Sequence, residues 1–274
     1  MSSLFNRELL LRVISALVLL PVVLLPVWYG GLPFLVLLVV AGAMMYREWL
    51  LLTGVRAALV LPATLVTTAI LIAGAVLITS QPLAARAVYS VALASLSLGI
   101  VSRLFGWRQP FWIAAGWLYV LLPLGAFLYL GLATEGPFWI YWVLVVVWAT
   151  DIGAFFAGRI IGGPKLSKRY SPNKTWAGLA GGIAAAIFLS WLGTELAGEY
   201  WKPELTTLAP PLYFAGLMAL LSQMGDLFES ALKRHFGVKD SSGLIPGHGG
   251  LLDRVDGLVF VVVAVALYMG INYA

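Results

Sequence analysis

Apolar runs of about 20 residues recur along nearly the whole chain, with short polar segments between them. An α-helix needs a run of this length to cross the hydrocarbon core of a bilayer, where its own hydrogen bonds satisfy the backbone. Only 11% of the 274 residues are Asp, Glu, Lys or Arg, whereas about 25% is usual in soluble domains. The pattern therefore excludes a water-soluble fold and predicts an all-α, polytopic membrane bundle.

The apolar runs predict nine membrane-spanning helices. Their approximate ranges are 11–29, 32–46, 57–79, 86–102, 111–132, 138–158, 176–196, 208–228 and 257–273. No linker or low-complexity tract divides the chain, so we expect one membrane domain, residues 1–274. The first run resembles a signal peptide, but further apolar runs follow it, and we expect it to be retained.

Basic residues are concentrated in alternate connections between these predicted helices. All 17 Lys and Arg residues except Arg86 and Lys202 lie in these connections or near the start of the first helix. The positive-inside rule then places the N-terminus and these connections in the cytoplasm. The basic residues that give the net charge of +5 lie mostly in connections beside the membrane. We therefore expect membrane lipids as partners and no nucleic acid.

The acidic residues of the last four predicted helices indicate a metal site. Cysteine is absent and histidine occurs twice, which excludes thiol and multi-histidine sites, so oxygen must hold any metal. Crowded carboxylates repel, whereas Mg²⁺ takes oxygen ligands and leaves positions for phosphates. We predict a magnesium site, with room for a second cation, whose ligands are Asp226, Asp253, Asp151 and Asp256. The alternative of equal weight is salt bridging by Lys233, Arg234 and Arg254.

Two long cytoplasmic connections, residues 159–175 and 229–256, are rich in Gly, Pro and charged residues. Long loops often carry function, although basic loops beside a membrane can serve only to attract anionic lipid. The first connection leads into a helix, and helix N-termini bind anions. We expect it to bind substrate through Ser171, Asn173, Lys174 and Thr175.

The second connection contains a glycine turn, residues 246–250, which reads Pro-Gly-His-Gly-Gly. Glycine lets the backbone approach a ligand closely. We expect the turn to bind substrate through His248, Gly249 and Gly250, and a purely turn-stabilising role for His248 is an equal alternative.

Residues 230–256 resemble the signature of the phosphatidate cytidylyltransferases, also called CDP-diacylglycerol synthases. They read S-x-x-K-R-x4-K-D, then Pro-Gly-His-Gly-Gly and D-R-x-D. Upstream matches are Asp151, Gly158-Arg159, Ser171-Pro172 and Lys174-Thr175, whereas Ala177 stands where many relatives have Glu or Gln. The resemblance covers the C-terminal half. We therefore assign residues 138–274 to catalysis and leave 1–137 without an assigned role.

The resemblance implies that CTP and phosphatidate react to give CDP-diacylglycerol and pyrophosphate, with Mg²⁺, at the cytoplasmic face of a bacterial-type inner membrane. It leaves a homodimer open. On this hypothesis, the catalytic residues are Asp226, Asp253, Lys233, Arg234, Lys239 and Arg254.

Two other functions fit parts of the pattern. A CTP-dependent kinase acting on a polyprenol or another lipid alcohol would also need acids, lysines and a membrane cavity. A transporter would explain an aspartate inside a span, but it explains the two dense cytoplasmic connections poorly.

Overall fold

The computed structural model describes residues 2–55, 57–79, 110–133, 135–247 and 249–272. Its helices are α1 (Ser2–Tyr29), α2 (Gly31–Leu52), α3 (Ala57–Thr79), α4 (Pro110–Leu132), α5 (Gly136–Ile160), α6 (Trp176–Tyr200), α7 (Leu205–Leu208), α8 (Leu212–His235) and α9 (Leu252–Asn272). The predicted helix 86–102 lies outside the described residues, and so does His248.

The predicted all-α, multi-pass membrane bundle is confirmed. Within the described ranges, five helical segments are long and apolar enough to cross a membrane. They are Gly31–Leu52, Ala115–Leu132, Gly136–Ile160, Trp176–Tyr200 and Leu252–Asn272. The count of nine spans stays a prediction.

Three helices extend beyond their predicted ends. Polar residues that the sequence assigns to connections therefore lie on helices. α2 continues past residue 46 to Leu52, α8 past residue 228 to His235, and α9 begins at Leu252 instead of 257. Hydropathy falls where a helix leaves the hydrocarbon, although its backbone hydrogen bonds continue. The predicted second connection is therefore shorter and begins at residue 236.

The chain divides into two compact units. Unit 1 comprises Met1–Ala133 and Phe236–Arg254, and unit 2 comprises Thr134–His235 and Val255–Ala274. In unit 1, the indole of Trp117 donates to the hydroxyl of Tyr46 at 2.6 Å, and the indole of Trp49 donates to the carbonyl of Trp112 at 2.7 Å. These bonds satisfy the polar atoms of a largely aromatic interface between α2 and α4. The expectation of a single domain stays a prediction.

In unit 2, α5 and α6 pack against each other along glycine and alanine. A Cβ atom at Gly181 would lie 2.2 Å from the Cβ of Ala157, and one at Gly153 would lie 2.7 Å from the carbonyl oxygen of Gly181. Small residues let helix backbones approach in this way inside membranes. The close packing fixes the polar ends of both helices.

The connection between α5 and α6 forms a short β-hairpin. Strands β1 (Lys165–Ser167) and β2 (Ser171–Thr175) are antiparallel, and they pair Lys165 with Thr175. β2 runs directly into α6, where the hydroxyl of Thr175 accepts from the amide of Gly178 at 3.0 Å. The residues that the sequence assigns to substrate binding therefore lie on a strand that ends in a helix cap.

We expect Thr175→Ala to lower the free energy of unfolding by about 1 kcal/mol, because the cap bond to the Gly178 amide is lost. Thr175→Ser keeps the hydroxyl and should retain most of the stability. Thermal unfolding of the two detergent-solubilised variants measures the difference. Equal stabilities of the Ala and Ser variants would show that the cap contributes nothing.

Candidate functional site

A polar cluster in unit 2 joins β2, α5 and α8; it consists of Asp151, Lys174, Gln223 and Asp226. The ammonium group of Lys174 lies 2.5 Å from Oδ2 of Asp226 and donates to Oε1 of Gln223 at 2.9 Å. Gln223 donates in turn to Oδ1 of Asp151 at 3.3 Å. The structure thus brings together three elements that are distant in sequence. It also places one cation directly against a carboxylate predicted to bind metal.

Helix α9 brings a further carboxylate to the polar cluster. Asp256 lies within electrostatic range of Asp226, Asp151 and Lys174. A Cβ atom at Gly225 would lie 2.4 Å from the backbone oxygen of Asp256, so the two helix backbones nearly touch here. Asp256 therefore has acidic neighbours on α5 and α8 and a basic neighbour on β2.

The chemistry of these donors suits a hard cation. All three carboxylates offer oxygen only, as Mg²⁺ prefers. The hydroxyl of Ser222, one helical turn before Asp226, is buried and has no hydrogen-bond partner among the described residues, so it could serve as a further oxygen. No three acidic or histidine side chains in the described ranges are close enough to hold an ion together. The magnesium site stays a prediction.

The last turn of α8 carries two of the predicted catalytic residues. Lys233 lies 3.4 Å from Oε1 of Glu229, whose side chain is only 1% exposed, so the pair holds Lys233 along its own helix. Arg234 is exposed at the end of the same turn. Lys233 therefore forms a salt bridge, as the alternative from the sequence proposes. Its partner is Glu229, whereas Asp226 pairs with Lys174.

In unit 1, Asp253 holds the chain segment before α9. Its Oδ2 accepts from the hydroxyl of Ser241 at 2.9 Å, from the amide of Ser241 at 3.0 Å and from the amide of Gly250 at 2.8 Å. Because one carboxylate oxygen receives three donors, Asp253 fixes the turn in front of its own helix. A role as metal ligand stays a prediction for this residue.

The two described glycines at the end of the glycine turn are required by its internal packing. Gly249 has a φ of +86°, and a Cβ atom there would lie 2.8 Å from Oδ2 of Asp253. A Cβ atom at Gly250 would lie 2.0 Å from the hydroxyl of Ser241 and 2.8 Å from both carboxylate oxygens of Glu48. The glycines let carboxylates of this chain approach the backbone. Their predicted contact with substrate stays a prediction.

A cavity of about 560 Å³ opens beside the glycine turn, within unit 1. Its charged lining residues are Lys239, Asp240 and Arg254. The rest of its wall is formed by Ser242, Gly243, Ile245, Pro246, Gly247 and Gly249. The volume lies in the range usual for small-molecule sites. Because two cations and one carboxylate line this cavity, it suits an anionic ligand.

Two polar residues of these groups are absent from the sequence prediction. Gln223 links Lys174 to Asp151, and its signal is an amide one turn before an aspartate in an apolar helix. Glu48 lies in α2, beyond the predicted end of that helix at residue 46. The sequence feature that indicates its position is the apolar run after it, because a further apolar run shows that the helix continues. Their partners are distant in sequence, so only the fold reveals what they bind.

A match to a protein family covers both the polar cluster of unit 2 and the cavity of unit 1. A family model described as the cytidylyltransferase family matches residues 10–272. The chain belongs to the cytidylyltransferase family. The match spans the polar cluster of unit 2 and the cavity of unit 1, so both groups lie in the part of the cytidylyltransferase that defines the family.

Several relatives of this cytidylyltransferase are named phosphatidate cytidylyltransferase. One from Brucella suis is 39% identical over 256 residues, which are 90% of this chain and 88% of that protein. One from Bacillus subtilis is 37% identical over 176 residues, or 64% of each chain. One from Thermotoga maritima is 42% identical over 119 residues, which are 43% of this chain and 44% of that protein.

Proposed function

We propose that this membrane enzyme transfers the cytidylyl group of CTP to phosphatidate, giving CDP-diacylglycerol and pyrophosphate. The observation that carries the proposal is the match over 90% of the chain to a protein named for this activity. The basic and acidic residues described above supply the groups that such a transfer needs.

In the proposed reaction, a phosphate oxygen of phosphatidate attacks the α-phosphorus of CTP in line. A new P–O bond forms, the bond from the α-phosphorus to the bridging oxygen breaks, and pyrophosphate leaves with that oxygen. No covalent enzyme intermediate is needed, so the protein contributes positioning and charge neutralisation.

The basic residues would bind the phosphate groups that must approach one another. Lys174 on β2 and Lys233 and Arg234 on α8 serve this role in unit 2. Lys239 and Arg254 serve it at the cavity of unit 1. Lysine acts as a mobile point charge, whereas arginine offers a planar fork that matches two phosphate oxygens.

Magnesium would be held by carboxylates. In unit 2 the first choice is Asp226, with Asp151 and Asp256 as ligands or orienting groups, and in unit 1 the first choice is Asp253. When bound, the cation neutralises part of the phosphate charge. In the structure, the ammonium group of Lys174 lies against the carboxylate of Asp226 and offsets its charge. Lys174 therefore keeps the carboxylates of the polar cluster from repelling one another.

We place the enzyme in a bacterial inner membrane with its site facing the cytoplasm. The bacterial source of the relatives and the distribution of Lys and Arg support this orientation. Membrane lipids surround the helices on this proposal, and a homodimer is compatible with it.

The deciding experiment is incubation of the purified protein with phosphatidate, Mg²⁺ and CTP labelled at either the α- or the γ-phosphate. We expect α-label in the lipid and free pyrophosphate, and a chelator should abolish both. γ-Label in a lipid alcohol with release of CDP would support a lipid kinase instead. Movement of a solute into liposomes without CTP consumption would support a transporter.

A further inference from the structure

Glu48 is fully buried in α2, with 0% of its surface exposed. A buried carboxylate is costly unless hydrogen-bond donors surround it. Its Oε1 accepts from the hydroxyl of Ser242 and, at 2.9 Å, from the amide of Leu251. Its Oε2 accepts from the amide of Leu252 at 2.8 Å, and the hydroxyl of Ser241, which donates to Asp253 at the shorter distance of 2.9 Å, lies 3.4 Å from Oε2. These three donors and the Ser241 hydroxyl all lie between residues 241 and 252, in the C-terminal part of the chain.

The two backbone donors lie at the N-terminus of α9, which begins at Leu252. The first amides of a helix lack acceptors within the helix, and the helix dipole favours a negative charge there. Glu48 thus caps α9 from another helix, across sequence separations of 203 and 204 residues. The contact fixes where α9 starts.

The same contact fixes the wall of the cavity beside the glycine turn. The hydroxyl of Ser241 lies between Glu48 and Asp253 and is within hydrogen-bond distance of both. Lys239 precedes this serine by two residues, and Arg254 follows the capped start of α9 by two residues. Both line the cavity. Glu48 therefore anchors the backbone from which the two cations extend, although it is not one of the lining residues.

We propose that Glu48 is a positioning residue for nucleotide binding. It holds the segment 241–252 so that Lys239 and Arg254 present their charges to a phosphate group of CTP in the cavity. The inference rests on the proposed function, because that function identifies the nucleotide. Glu48 acts through the loop and does not contact the substrate.

Glu48→Gln tests this role because it keeps the side-chain volume but replaces one acceptor oxygen with an NH₂ group, which cannot accept from the amides. Loss of charge-assisted bonds should speed hydrogen exchange of the Leu251 and Leu252 amides by about tenfold. The KM for CTP should rise by about tenfold, with kcat within about threefold, because ground state and transition state lose the same binding. Glu48→Asp keeps both acceptor oxygens and should restore part of the KM.

The matched control is Thr53→Val. Thr53 is buried at the C-terminal cap of the same helix, and its hydroxyl donates to the carbonyl of Trp49 at 2.8 Å. This variant should lower the unfolding temperature and leave the KM for CTP unchanged. If Glu48→Gln fails to fold, Ser242→Ala removes one donor and should raise the KM by about threefold.

Three results would overturn the proposal: an unchanged KM in Glu48→Gln, a loss of kcat at constant KM, or unchanged exchange at Leu251 and Leu252. Failure of the proposed function has a different signature. The wild-type protein would then form no CDP-diacylglycerol, whereas amide exchange would still report whether Glu48 holds the segment 241–252.

Discussion

We expect Asp226→Asn to lower the rate of CDP-diacylglycerol formation by about 100- to 1,000-fold while the protein still inserts and folds. The amide keeps the shape of the carboxylate but removes its charge, so it can neither pair fully with Lys174 nor bind a hard cation well. Lys174 retains its bond to Gln223, which should preserve the local fold. Steady-state rates and the unfolding temperature of the purified variant measure the two effects.

The control for Asp226→Asn is Glu199→Gln, which neutralises an exposed carboxylate in the last turns of α6. This variant should have a normal rate. A near-normal rate in Asp226→Asn would remove Asp226 from the proposed metal site and from catalysis. A low rate with a large fall in unfolding temperature would instead assign Asp226 a role in folding.

The second large effect concerns the glycine packing between α5 and α6. Gly181→Ala places a Cβ atom 2.2 Å from the Cβ of Ala157 and 3.1 Å from the carbonyl oxygen of Gly153. Carbon atoms prefer separations of about 3.5–4.0 Å, so the two helix backbones must move apart. We expect a loss of about 1–3 kcal/mol in the free energy of unfolding, measured as a lower unfolding temperature.

Gly193→Ala makes the same chemical change in the same helix, where no atom of the described residues, apart from the adjoining helix backbone, lies within 4 Å of the new Cβ. Alanine has a higher helix propensity than glycine, so this variant should be neutral or more stable by up to about 1 kcal/mol. The pair thus separates helix propensity from interhelical packing. Equal stabilities of the two variants would contradict the close approach of α5 and α6 at Gly181.

The sequence predicts the membrane class well, because that class depends on local patterns of apolar residues, whereas the roles of the site residues stay predictions. Runs of apolar residues identify most of the observed helices. The charged residues near helix ends indicate Lys174 and Asp226 separately, one as a phosphate ligand and the other as a metal ligand. The contact between them joins residues 52 positions apart, and no local pattern reveals it.

The sequence does not reveal the contacts that a residue makes with distant parts of its own chain. The glycine turn reads as a site for close ligand approach, yet the carboxylates of Asp253 and Glu48 occupy the space beside Gly249 and Gly250. A glycine in a turn indicates that another group lies close to the backbone, but it does not identify that group. Only the tertiary fold identifies the neighbour.

The capping of α9 by Glu48 bears on how much of the gene an active fragment would need. A fragment of residues 138–274 would contain every signature residue, but Leu251 and Leu252 would have lost their acceptor. During synthesis, Glu48 emerges from the ribosome long before the amides of Leu251 and Leu252. Helix α2 is therefore made before the helix that it caps. The early helices are thus a scaffold on which the last loop is assembled.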